Sequence, residues 1–158
     1  MAYQIKKSKA SDERGTPGWV MDAVTDLFGH HLLDVCATDE NRKCYDWFTK
    51  ELDGLTHPWY SNNWCNPPYS DPKPWVLKAI SEAEQWQART TLLLLADTST
   101  ELFSIAARKG HVFLLDQRIK FEGMTSSPPF GSMLVRITPC TVRGGTISRL
   151  SIRDYLKG

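Results

Sequence analysis

The tetrapeptide Asn66-Pro67-Pro68-Tyr69 has the residue types needed to hold an aromatic amine. Each proline fixes its own φ at about −65° and pushes its predecessor toward extended conformations, and neither has an N–H to donate. The Asn66 amide oxygen and the Pro67 carbonyl oxygen can therefore serve as two acceptors in one stiff pocket. Two acceptors suit an exocyclic –NH2 group, which has two protons to donate. Tyr69 adds a ring against which a planar base can stack.

This combination suits methyl transfer to an amino nitrogen. An aromatic amine is a poor nucleophile because its lone pair is delocalised into the ring. Hydrogen bonds to Asn66 and Pro67 favour a more tetrahedral nitrogen and stabilise the positive charge that develops as the methyl group arrives. The remaining requirement is positioning, with nitrogen, methyl and sulfonium in line. A tight Pro-Pro turn after a strand is the alternative interpretation of the four residues alone.

The elements predicted around the tetrapeptide place it at the edge of a sheet. It follows a short apolar strand at 63–65 and precedes an amphipathic helix at 72–88. Thr16 is predicted to cap an earlier helix that has Pro17 at its first position and ends at Gly29. The other expected elements are strands at 31–37, 90–96, 111–115 and 132–137, a weak strand near 45–48, and a helix at 101–109.

Strand–helix alternation predicts an α/β fold with a mainly parallel sheet and helices on both faces. The last two strands are joined by a loop, so an antiparallel strand at one edge is expected. In open sheets of this kind ligands bind at the carboxyl ends of strands. Two polar strand ends are therefore candidates for the site, at 34–41 and at 66–69.

Size and charge limit the possible functions. The chain has 158 residues and a net charge of +1, which predicts one domain and excludes a strongly basic DNA-coating protein. We expect a flexible arm at 1–13, a single domain at 14–140 and a basic tail at 141–158. No apolar run approaches the length of a membrane span and no signal peptide is evident, so a cytoplasmic protein is expected. The four cysteines and four histidines lack metal-ligand spacing, and buried free thiols without a metal are the prediction.

Read with its neighbours, the tetrapeptide resembles motif IV of the amino-group methyltransferases that use S-adenosylmethionine. The chain as a whole resembles the small phage-type DNA N-6-adenine methyltransferases (Dam-type). The resemblance covers residues 14–137 in order. Its matching stretches are Thr16-Pro17, 28–44, Asp53-Gly54-Leu55, 64–69, 73–79, 91–100 and 118–121.

The resemblance implies a class I methyltransferase (Rossmann-like) fold that binds S-adenosylmethionine and acts on adenine N6 in DNA. Asn66, Pro67, Pro68 and Tyr69 would be catalytic, on a base flipped out of the duplex at a short target. Asp34 would contact the ammonium group of the cofactor, although residues 38–41 replace the glycines that many class I enzymes have in this turn. The implied cofactor-binding set is Thr16, Pro17, Asp34, Cys36, Ala37, Asn41, Asp53 and Asn66. The candidates for phosphate contacts are Arg42, Lys43, Arg118, Lys120 and Arg143.

Two other functions stay open at this point. RNA methyltransferases and protein-glutamine methyltransferases of the same fold also use Asn-Pro-Pro-Tyr, but they usually carry an extra substrate-binding domain for which this chain has no room. The second alternative is a non-catalytic DNA-binding or anti-restriction module, which would not need the paired acceptors. The sequence does not distinguish a monomer from a homodimer.

Overall fold

The computed structural model describes residues 14–128 and 130–157, so the arm predicted at 1–13 lies outside the described residues. Three α-helices occur in this part of the chain: α1 (Gly18–Phe28), α2 (Lys73–Trp86) and α3 (Glu101–Lys109). The strands are β1 (Leu33–Asp34), β2 (Asp46–Trp47), β3 (Asn62–Cys65), β4 (Arg89–Leu95), β5 (His111–Leu115), β6 (Ser132–Ile137) and β7 (Thr146–Leu150). Short 3-10 helices lie at Gly54–Thr56, Thr141–Arg143 and Arg153–Lys157.

The described strands form one sheet in the order β2-β1-β3-β4-β6-β5-β7. All of them run parallel except β6, which pairs antiparallel with both β4 and β5. The predicted α/β class with a mainly parallel sheet is therefore confirmed. The antiparallel strand β6 inserts between β4 and β5, and a further strand after β6, β7, extends the sheet beyond β5.

That further strand corrects the predicted domain boundary at residue 140. β7 pairs parallel with β5 over its whole length, from His111↔Thr146 to Leu115↔Leu150. The segment after β7 also packs on the domain, since Ile152 is buried and the Tyr155 hydroxyl donates to Asp26 Oδ2 at 3.0 Å. The part of the chain predicted as a basic tail is thus a component of the sheet and its covering layer.

Apolar helix faces cover both sides of the sheet. On one side α1 places Val20 and Val24 against Trp64, Leu93 and Leu134. On the other side α2 and α3 pack against the alternate residues of the same strands, including Leu92, Leu94 and Val135. The alternation follows from the two-residue period of a strand, which sends neighbouring side chains to opposite faces.

The start of α1 differs from the prediction. Pro17, not Thr16, is the N-cap residue, and no side chain caps the helix. The Thr16 hydroxyl is buried and accepts a hydrogen bond from the Asn66 amide instead of one from the helix. The predicted end is confirmed, since Gly29 has a φ of 76° and donates its N–H to the Thr25 carbonyl.

In the described part of the chain, none of the helices combines the length and the apolar character needed to cross a bilayer. The same residues contain no cluster of three His, Cys, Asp or Glu side chains arranged as metal ligands. None of the four cysteines forms a disulfide, and Cys44 and Cys65 are buried.

Candidate active site

The carboxyl ends of β1 and β3 bring distant parts of the sequence together. They form a polar pocket with the segment that precedes α1. It is lined by Arg14, Thr16, Asp34, Cys36, Asn41, Lys43, Trp64 and Asn66. Five of the residues predicted to bind the cofactor therefore share one pocket: Thr16, Asp34, Cys36, Asn41 and Asn66. Pro17 and Ala37 adjoin it in sequence but do not line it.

Two hydrogen bonds set the orientation of the Asn66 side chain. Its Nδ2 donates to the Arg14 carbonyl oxygen at 2.8 Å and to the Thr16 hydroxyl at 3.2 Å. A carbonyl oxygen can only accept, so the atom facing Arg14 must be the nitrogen of the amide. Both amide protons are thus directed toward the segment before α1, and Oδ1 is directed away from it. This orientation is the one that the predicted acceptor role of Asn66 would need.

The rest of the tetrapeptide forms a rigid turn. Pro67 is buried, and the Pro68 carbonyl accepts the Asp71 N–H at 3.2 Å, which closes the turn just before α2. Tyr69 packs edge-on against Phe121, with ring centroids 5.8 Å apart. The Tyr69 hydroxyl is buried without a hydrogen-bond partner, and this burial raises the pKa of the phenol. Tyr69 therefore supplies a neutral ring and not a proton-transfer group.

Arg14 connects the pocket with this ring. Its guanidinium carbon lies 4.9 Å from the centroid of the Tyr69 ring and 5.9 Å from that of Phe121, within the range of cation–π contacts. The next residue, Gly15, pairs with Glu122 in an antiparallel bridge. No sequence pattern indicates Arg14, because its contact with Asn66 is made by a backbone carbonyl that any residue would have.

Asp34 is a buried carboxylate at the carboxyl end of β1. Its Oδ2 accepts the Lys43 N–H at 2.9 Å and its Oδ1 accepts the Cys36 N–H at 3.3 Å. Desolvation raises the pKa of Asp34 to about 7, and the two backbone hydrogen bonds act in the opposite direction. Asp34 thus closes the loop that follows β1 and presents a carboxyl group that changes charge near neutral pH.

The loop after β1 holds its shape without glycines. The Thr38 N–H donates to Asn41 Oδ1 at 2.7 Å, and the Asn41 N–H donates to the Thr38 hydroxyl at 3.1 Å. These reciprocal side-chain bonds take the place of the glycine turn that many class I enzymes use. They fix Asn41 at the pocket by the local hydrogen bonding that Thr and Asn favour.

Asp53 has a structural role in its turn. It has a φ of 55°, and its carboxylate accepts the Leu55 N–H at 3.2 Å at the start of the 3-10 helix Gly54–Thr56. Asp53 is exposed and does not line the pocket. It also does not line a second cavity of about 400 Å³ beside β2, whose walls include Asp39, Trp47 and Phe48.

The basic residues proposed from the sequence lie in different places. Arg118 and Lys120 are exposed after the carboxyl end of β5, on the same edge of the sheet as Asn66. Arg42 is exposed and stacks on Trp47 at 3.9 Å. Lys43 turns into the pocket. Arg143 follows the carboxyl end of the antiparallel β6, which lies where the parallel strands begin. Arg143 is therefore at the opposite end of the strands from Asn66 and does not share a surface with it.

Comparison with known proteins assigns the family. Residues 4–156 match the family model described as DNA N-6-adenine-methyltransferase (Dam). The chain is 36% identical over 125 residues to the DNA N-6-adenine-methyltransferase of Haemophilus phage HP1, covering 77% of this chain and 72% of that one. It is 37% identical over 93 residues to the DNA N-6-adenine-methyltransferase of Escherichia phage T1, covering 58% of this chain and 39% of the longer phage T1 protein. The match over nearly the whole chain shows that this protein belongs to the DNA N-6-adenine-methyltransferase (Dam) family.

Proposed function

We propose that this protein transfers a methyl group from S-adenosylmethionine to the exocyclic N6 of adenine in DNA. The observation that carries the proposal is the fixed orientation of Asn66. Its amide oxygen lies beside a pocket whose charges complement those of the amino-acid part of S-adenosylmethionine. That pocket combines one carboxylate, Asp34, with two cations, Arg14 and Lys43. Such a set suits the amino-acid part of S-adenosylmethionine, which carries an ammonium and a carboxylate group side by side.

S-adenosylmethionine supplies the electrophilic methyl group when it is bound. The protein's own residues hold the acceptor nitrogen in place. Asn66 Oδ1 and the Pro67 carbonyl accept the two amino protons of adenine, and they stabilise the positive charge that develops on its nitrogen. The Tyr69 ring provides the stacking surface for a base taken out of the duplex.

Family membership favours DNA over the RNA and protein substrates that the tetrapeptide alone leaves open. The exposed cations on the edge that contains Asn66 support the same choice, since phosphate contacts dominate DNA affinity. We assign Arg42, Arg118 and Lys120 to the DNA surface and leave Arg143 out because of its place at the opposite edge. The predicted short target, the cytoplasm of a bacterial host as location, and the choice between monomer and homodimer stay predictions.

The test is methyl transfer from S-adenosylmethionine labelled in the methyl group to DNA, RNA and protein offered separately. We expect label in DNA alone, recovered as N6-methyladenine. Asn66→Ala should lower turnover by about 10²–10³-fold, as loss of one preorganised hydrogen bond does in other enzymes. The control is Gln85→Ala, on the exposed side of α2, which should transfer at the wild-type rate. Label in RNA or protein but not in DNA, or wild-type rates in Asn66→Ala, would contradict the proposal.

A further inference from the structure

We propose that Lys43 binds the carboxylate group of the cofactor and does not bind a DNA phosphate. This inference rests on the proposed function, because it assigns a residue to one end of S-adenosylmethionine. It replaces the expectation from the sequence, where Lys43 stands beside Arg42 in a basic pair that would suit a phosphate.

The first observation is the direction of the Lys43 side chain. Arg42 is exposed and lies over Trp47, whereas Lys43 lines the pocket with Asp34, Thr16 and Asn66. The Lys43 side chain is only 17% exposed. A lysine that contacts the DNA backbone must present its ammonium group to a phosphate, where it displaces the counterions condensed on the DNA.

The second observation is the connection between Lys43 and Asp34. The Lys43 backbone N–H donates to Asp34 Oδ2 at 2.9 Å, which ties the two residues together across the loop. No ion pair joins the Lys43 ammonium to the Asp34 carboxylate among the described residues. A negative and a positive group therefore stand side by side on one wall of the pocket. An α-amino acid presents the complementary pair, since its ammonium and carboxylate are attached to the same carbon.

The third observation is the present partner of the Lys43 ammonium. Its Nζ lies 3.4 Å from Glu122 Oε2, and the Glu122 side chain is 53% exposed. Charge-assisted hydrogen bonds of this type are about 2.7–2.9 Å long when they are strong. Exposed ion pairs contribute little stability. Lys43 is thus already placed to bind a carboxylate, and its partner is one that an incoming carboxylate can displace.

The other cation of the pocket is less suited to this role. The Arg14 guanidinium lies over the Tyr69 and Phe121 rings, on the side of the site where the base is proposed to bind. Its connection to Asn66 is made by its backbone carbonyl and not by its charge. The geometry therefore assigns the carboxylate to Lys43.

A pair of ligands that differ only in the carboxylate provides the test. The dissociation constants of S-adenosylmethionine and of decarboxylated S-adenosylmethionine are measured by calorimetry for the wild type and for Lys43→Met, Arg14→Met and Lys120→Met. Methionine keeps an apolar side chain of similar length, and the backbone N–H that Asp34 needs is unchanged. Circular dichroism checks that each variant is folded.

We expect Lys43→Met to weaken binding of S-adenosylmethionine by about tenfold or more, which is the worth of a charge-assisted hydrogen bond. The same variant should bind the decarboxylated analogue within about twofold of the wild type. Lys120→Met should bind both ligands like the wild type. Equal losses for the two ligands in Lys43→Met, or a carboxylate-selective loss in Arg14→Met instead, would overturn the inference.

DNA binding provides the second readout. Lys43→Met should keep the wild-type salt dependence of DNA affinity, whereas Lys120→Met should lower its slope by about one. A lower slope in Lys43→Met would restore the phosphate role and overturn the inference. A wild-type protein that binds S-adenosylmethionine but methylates no DNA would refute the proposed function alone, because the Lys43 inference is judged on cofactor binding. Failure of the wild type to bind S-adenosylmethionine would refute both.

Discussion

At the scale of single residues, the site depends on how buried polar groups are held. Asn66 is informative because its amide nitrogen donates to two acceptors, which directs its oxygen to the other side. Asp34 is informative because it is buried and still accepts two backbone N–H groups. Both residues could be predicted from the sequence, since their types and their positions after strands indicate the chemistry. Arg14 could not, because its role depends on backbone geometry and on rings that are distant in the sequence.

We expect Asp34, in its proposed role at the ammonium group, to make the affinity for the cofactor dependent on pH. Burial raises the pKa of Asp34 to about 7, so the carboxyl group is largely protonated below that pH. An ammonium group binds the ionised form, and its binding must release the proton. We therefore expect the dissociation constant of S-adenosylmethionine to fall by up to about tenfold per pH unit as the pH rises toward 7, and to level off above it.

Calorimetry between pH 5.5 and 8.5, in buffers with different ionisation enthalpies, measures both the affinity and the proton release. The control is Asp34→Asn, which should bind more weakly at pH 8 and lose the pH dependence. The same raised pKa predicts that the wild-type free energy of unfolding decreases relative to that of Asp34→Asn as the pH rises from about 4 to 7, because the folded state binds the Asp34 proton more tightly than the unfolded state. A wild-type affinity that is constant across neutral pH would contradict the assigned role of Asp34.

At the scale of elements, strong local patterns were predicted well and pairing partners were not. The helices at 73–86 and 101–109 and the buried strands β4 and β6 carry clear apolar periodicity or apolar runs. β7 has no such pattern, because Thr146, Ile147 and Arg149 are exposed and only its pairing with β5 makes it a strand. β1 is shorter than the apolar segment at 31–37 that predicted it, since only Leu33 and Asp34 pair with their neighbours. Local residue types therefore indicate the elements, whereas long-range pairing determines their ends and their order.

The contact between the 3-10 helix Gly54–Thr56 and Val35, the residue after β1, is a close one that only glycine permits. A Cβ atom at Gly54 would lie 2.1 Å from the Val35 carbonyl oxygen and 3.1 Å from the Trp75 ring. The Gly54 carbonyl also accepts the Trp59 indole N–H at 2.7 Å. We expect Gly54→Ala to lower the free energy of unfolding by about 1–3 kcal/mol, because the backbone must shift. It should also weaken binding of S-adenosylmethionine, since Val35 adjoins Asp34.

Urea unfolding of Gly54→Ala and of the matched variant Gly18→Ala measures this effect. A Cβ at Gly18 meets nothing within 4 Å, and Gly18 is the first residue of α1. Gly18→Ala should therefore leave the stability unchanged or raise it by up to about 1 kcal/mol. Equal unfolding midpoints for Gly54→Ala and the wild type would show that the loop accommodates the methyl group.

At the scale of the whole molecule, the distribution of charge matters more than its sum. A net charge of +1 gives no general attraction to DNA. The carboxyl edge of the sheet, however, bears exposed Arg118 and Lys120, and Arg149 lies near the same end of β7. Arg143 lies at the other edge, after β6. Because β6 is antiparallel, a residue that follows it in sequence lies at the opposite end of the strands from Asn66. A sequence pattern alone does not reveal that separation.

The two arginines Arg118 and Arg143 therefore test whether DNA binds at one edge of the molecule. Both are exposed and their substitution removes the same charge, so any general electrostatic effect should be equal for the two. We expect Arg118→Ala to weaken DNA binding and to lower the slope of log K against log salt by about one, because one phosphate contact is lost. Arg143→Ala should leave the slope at its wild-type value. Fluorescence anisotropy with one duplex over a series of salt concentrations measures both variants. Equal slopes for Arg118→Ala and Arg143→Ala would mean that the DNA is not confined to the edge that presents Asn66.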